Sequence, residues 1–196
     1  MGKFKELYDY CQTLTPKVSR RHIEKKTLEL TGVEQIKAMK TTLDTTICRG
    51  YFLSAKNKDH PIVKCFGGSN VIVLARDQNY CWERFVYTKE LMHLFDSDDE
   101  PTDTADKFEK LLIDLEVPSA TESPSEQIMS ERKGIWMALA CLCPEKSRVE
   151  LGELRTKEHI DNYGIALKLR IPEQYVPLLF QPRYDVIINA IIDKAI

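Results

Sequence analysis

Apolar residues recur along this chain with two different periods, and the switch between them marks out its parts. Between Pro16 and Leu30, Val18, Ile23, Leu28 and Leu30 stand among lysines and arginines in a helical pattern, and Gly32 follows as a helix stop. From Thr45 the texture becomes strand-like. Residues 45–54, 61–66 and 70–75 are short runs rich in β-branched and aromatic side chains, separated by turn-forming stretches at 57–60 and 67–70. These runs predict a small antiparallel sheet. Helical spacing then returns. Residues 82–95 contain no Gly or Pro, and Phe85, Leu91, Leu94 and Phe95 recur at helical offsets. Another apolar helix is expected from Ser130 to Cys143, stopped by Pro144, and residues 161–179 read as two short helices around Ile171–Pro172. Strands in one group followed by helices in another predict an α+β fold rather than a parallel α/β sheet.

The same pattern divides the chain into an N-terminal helical segment, 1–44, and a main domain, 45–196. An acidic excursion at 96–126 interrupts the second part. Asp96, Asp98, Asp99, Glu100 and Asp103 open it, and Pro101, Pro118 and Pro124 limit regular structure within it. Phe108, Leu111, Leu112 and Leu115 predict one short helix inside, docked on the body, with residues 119–125 the first to be nicked by protease.

Charge and cysteine usage narrow the setting. A formal net charge of -2 argues against a dedicated nucleic-acid binder. No apolar run approaches the roughly 18–20 residues of a membrane span, and Lys3, Lys5, Glu6 and Asp9 break any signal-peptide core near Met1. The 6 cysteines include no CxxC pair, and Cys141 and Cys143 lie in an apolar stretch that suits core packing. A cytoplasmic, reduced protein with no membrane partner is expected. Lys17, Arg20, Arg21, Lys25 and Lys26 form a basic cluster that is either a solvated helix face or a surface for an anionic partner.

The candidate chemistry lies in the helix at 82–95. In an HExxH helix, histidines at i and i+4 share a face and grip one zinc ion, and the Glu at i+1 takes a proton from the bound water. The pentapeptide here is Lys89–Glu90–Leu91–Met92–His93. It keeps the glutamate and the second histidine but has Lys89 at the first ligand. A protonated amine has no lone pair to give a metal. Lys89 can snorkel to solvent, or its ammonium can stand where the cation would be and neutralise nearby carboxylates. His93 is open to an ordinary hydrogen-bonded role. His22, His60 and His159 offer no evident replacement ligand.

Residues 83–95, with Arg84, Phe85, Glu90, Leu91, His93 and Leu94 in place, resemble the motif helix of the ImmA/IrrE-type metallo-endopeptidase family, with KELMH in place of HExxH. The strand 70–75 before it suits that family. Residues 130–144 are similar to the family's second helix, with Glu131, Ala138, Leu142 and Pro144 on its pattern and Gly134 at a small-residue position. Residues 165–166 and 171–176 resemble its closing segment. Met92 departs from the family's usual glycine. The resemblance covers roughly residues 70–180 and leaves 1–44 unexplained.

The resemblance implies that 45–196 is metallopeptidase-like, with a zincin-like motif helix and C-terminal helices. It places His93 and Glu131 at metal ligands, although Glu131 also suits an ordinary acid near a helix N-terminus. Glu90 is then the general base of any active form. The expected function is that of a pseudo-peptidase acting as an intracellular regulatory or protein-binding protein, with no tightly bound cofactor. Its implied partner is a protein, such as a helix-turn-helix regulator, rather than nucleic acid. Two alternatives remain: an active zinc endopeptidase with a modified site, and a small α+β interaction protein unrelated to peptidases.

Overall fold

A computed structural model describes residues 2–14, 18–96 and 126–193. Its elements are α1 (Lys3–Gln12), α2 (Arg20–Thr31), β1 (Ile36–Thr41), β2 (Gly50–Leu53), α3 (Pro61–Cys65), β3 (Asn70–Ala75) and α4 (Tyr80–Leu91). A tight 3-10 turn, Met92–Phe95, extends α4. Then come α5 (Glu126–Leu142), α6 (Glu145–Thr156), α7 (Asn162–Leu169), a 3-10 turn at Glu173–Tyr175, α8 (Val176–Leu179) and α9 (Tyr184–Asp193). The fold is α+β. The acidic excursion, with its expected short helix and nicking site, lies outside the described residues apart from its two ends.

The sheet is mixed, not antiparallel. Its order is β1-β3-β2, with β1 parallel and β2 antiparallel to the central β3. Two sequence features account for the difference. β1 reads IKAMKT, a half-exposed edge strand whose lysines hide its strand character. Residues 61–65 form a helix instead of a strand. His60 accepts from the Ile62 amide at 3.2 Å, Pro61 takes the first turn, and Gly67 and Gly68 end the segment at φ 66° and 77°. Of the run 45–54, only Gly50–Leu53 pairs as a strand. Asp44 draws the residues before it into a turn by accepting from the Thr46 amide at 2.9 Å.

The helices follow their boundary signals more closely. Ser19 caps α2, Asn79 caps α4 and Asp161 caps α7, each by accepting a backbone amide two or three residues inside. Gly32 closes α2 in the left-handed conformation. β3 is buried along nearly its whole length, with α4 packed on one face and Val63 of α3 against the other. Phe4, Leu7 and Cys11 of α1 and Ile23 of α2 share one core with α4 and α5, and Cys141 and Cys143 are buried in it.

Arg84 ties these parts together. Its guanidinium is buried and donates to the carbonyls of Leu169, Arg170 and Val18 at 2.7, 3.2 and 2.5 Å. Burial lowers its pKa, a cost the three acceptors offset. The C-terminal end of α7 and the chain entering α2 are thus fixed to the helix that carries residues 89–93.

Candidate functional site

The structure brings Lys89, Glu90, His93 and Glu131 into one cluster. Lys89 and Glu90 end α4, and the 3-10 turn carries His93 round on the same side. Glu131 arrives from α5, which packs against α4. Gly134, one turn beyond Glu131, lies against Lys89: a Cβ built there would be 3.5 Å from Lys89 Cγ. Met92 is buried in the core.

Lys89 spans the two carboxylates. Its Nζ lies 2.7 Å from Glu90 Oε1 and also donates to Glu131 Oε2. It does not snorkel, for only 13% of its side chain is exposed. Burial alone would lower its pKa, but the charges of Glu131 and Glu90 outweigh that and raise it above the ordinary lysine value. Burial would likewise raise the Glu131 pKa, but the Lys89 charge and His93 hold it below the usual carboxylate range. His93 Nε2 faces Glu90 Oε2 at 3.4 Å and Glu131 Oε1 at 3.5 Å. Glu90 Oε2 is buried without a hydrogen bond of good geometry.

Three residues that the sequence did not single out for this site hold the far side of the imidazole. His93 Nδ1 donates to Asp96 Oδ2 at 2.6 Å, the Ser130 hydroxyl donates to the same oxygen at 2.6 Å, and Lys133 lies 2.8 Å from Asp96 Oδ1. Burial opposes charge on His93, yet Asp96, Glu131 and Glu90 together raise its pKa well above the ordinary value. Phe52 of β2 stacks on the ring, centroids 6.0 Å apart and planes 27° apart. Lys89, His93 and Lys133 therefore share one largely buried network with Glu90, Glu131 and Asp96.

As arranged, these residues fit an ammonium rather than a zinc ion. Lys89 Nζ stands between the two carboxylates and pairs with both, and a protonated amine has no lone pair to give a metal. His60 is used as a helix cap and lies outside the cluster.

The cluster floors a cleft of about 410 Å³. The cleft is lined by residues 45–52, by side chains of α4 and α5, and by Tyr175. Tyr175 stacks on Phe85 at 4.3 Å and meets Trp82 edge-on at 5.8 Å. The Arg49 guanidinium lies over the Trp82 ring, 3.9 Å from its centroid. In comparisons with known proteins, no family model, curated protein or solved structure matches the chain. Among the described residues, no helix is long and apolar enough to cross a membrane.

Proposed function

We propose that this chain is a pseudo-peptidase of ImmA/IrrE type that binds a protein segment in its cleft and does not cleave it. The observation that carries the reading is the position of Lys89. Its ammonium lies where a metal-centred site needs its cation, and it satisfies Glu90 and Glu131 electrostatically without providing a Lewis acid. Glu90 then has no metal-activated water from which to take a proton, and its Oε1 is held by Lys89. On this reading zinc is not held tightly.

A cleft for a protein segment is supported by its shape and lining. Among the described residues, β2 is an edge strand paired with β3 alone, and Gly50–Phe52 of that strand line the cleft. An unpaired strand edge beside an aromatic-lined cleft suits an extended main chain. The proposed setting is cytoplasmic, with a regulatory protein as partner.

The test is hydrolysis of an unfolded protein substrate with added zinc. No chelator-sensitive cleavage is expected from the unaltered protein, and Glu90→Gln should leave that blank unchanged. Zinc-dependent cleavage abolished by Glu90→Gln would instead establish an active endopeptidase.

A further inference from the structure

The cleft carries two charges that the buried network does not use. Arg49, just before β2, and Arg132, in α5, both line the cleft. Among the described residues, neither has a carboxylate partner. Lys89 is committed to Glu90 and Glu131, and with Arg49 and Arg132 added the basic side chains of the lining outnumber its carboxylates. Arg49 is also pre-positioned. Its guanidinium lies over the Trp82 ring, 3.9 Å from the centroid, a contact that limits where it can move, and an arginine so held can grip a carboxylate through two hydrogen bonds. Trp82, Tyr175 and Ile135 supply apolar surface in the same cavity.

We propose that the cleft selects an acidic peptide segment, with an Asp or Glu side chain held by Arg49 and Arg132 and a neighbouring large apolar side chain packed against Trp82 and Tyr175. This rests on the reading of the cleft as a site for a protein segment and adds the chemistry that chooses the segment. A volume of about 410 Å³ is at the small end of ligand pockets, enough for a few side chains rather than a folded domain. A nucleic-acid strand, the other polyanion with flat apolar groups, carries a charge on every nucleotide, and two arginines on a chain of net charge -2 offer too little basic surface to track its backbone.

The experiment is a positional scan of labelled random heptapeptides against the purified full chain, in low and moderate salt. An oligothymidylate and phenylacetate serve as control probes. The unaltered protein is expected to enrich Asp or Glu at one position beside a large apolar residue, with affinity falling as salt rises. Arg49→Gln or Arg132→Gln should each weaken the enriched peptides by about three- to thirty-fold. Arg49→Lys should restore only part of the loss, because it keeps charge without the stacked fork. Arg132 is exposed, so Arg132→Glu should fold normally and shift the preference toward basic peptides. Peptides bound without acidic preference, or with a preference that survives both glutamine variants, would overturn the selectivity while leaving the protein-segment reading intact. Binding of the oligothymidylate or phenylacetate in place of every peptide, or no binding at all, would overturn both.

Discussion

Replacing Lys89 with methionine probes the cluster where it is most compact. The substitution keeps the length and apolar stem of the side chain and removes the ammonium that spans Glu90 and Glu131. Glu90 is left 2% exposed and Glu131 28% exposed, with His93 the remaining partner of both among the described residues. Breaking a fully buried ion pair costs about 3–5 kcal/mol. The partial exposure of Glu131 and the charge on His93 lower that, so the expected loss is about 2–4 kcal/mol. Urea unfolding at pH 7, followed by Trp82 and Trp136 fluorescence, reads it directly. With a slope of about 2 kcal/mol/M, the midpoint should fall by about 1–2 M. The raised Lys89 pKa leaves its contribution fully present at that pH, because it is lost only as pH climbs through the folded value, above 10.5. Adding Glu131→Gln to Lys89→Met should recover about 1 kcal/mol or more by removing an unpaired charge. A loss below about 1 kcal/mol with no recovery in the double variant would mean that these carboxylates are solvated and the network is not what holds α4 to α5.

The cluster also predicts a pH profile and two glycine effects. Asp96 and Glu131 have lowered pKa values, so their contributions are present above the unfolded values of 3.8 and 4.5 and are lost as pH falls through the folded ones. His93 has a raised value, so its contribution is complete below 6.5 and is lost as pH rises toward the folded value. Unfolding midpoints measured from pH 3 to 9 should therefore peak between about 4.5 and 6.5, and His93→Gln should flatten the high-pH side. Gly50→Ala should cost about 1–3 kcal/mol, because its Cβ would sit 2.6 Å from Val86 Cγ1 and 2.8 Å from the Val73 carbonyl. Gly134→Ala meets only ordinary contacts and should be neutral or stabilising by up to about 1 kcal/mol, as thermal melts of the two variants will show.

What the sequence revealed depended on whether the forces involved were local. The helices at 82–95 and 130–143 were legible because apolar spacing and the stop at Pro144 act within each segment. Once those two helices pack, Lys89, Glu90 and His93 meet Glu131, and the choice between a solvated lysine and a bridging one is settled by burial. β1 was missed because its lysines suit an edge strand whose partner, β3, lies more than thirty residues away. α3 was misread because β-branched Ile62 and Val63 outweighed the helix-starting pair His60–Pro61. Asp96 looked like the first of a run of solvated acids. It is buried only because His93, Ser130 and Lys133 satisfy it, two of them from a helix that begins thirty residues later. No local pattern announces such a partnership. Arg49 and Arg132 were silent for the same reason: an arginine acquires meaning from the cleft around it.

The most direct test of the central claim is the zinc content of carefully purified protein, measured by elemental analysis beside Lys89→His prepared in the same way. The unaltered chain should carry well under one zinc per molecule after dialysis, because its own ammonium stands between Glu90 and Glu131. Lys89→His should gain close to one, and a further Glu90→Gln should keep the metal while removing any cleavage the variant acquires. Near-equimolar zinc in the unaltered protein, with proteolysis that a chelator abolishes, would contradict the account.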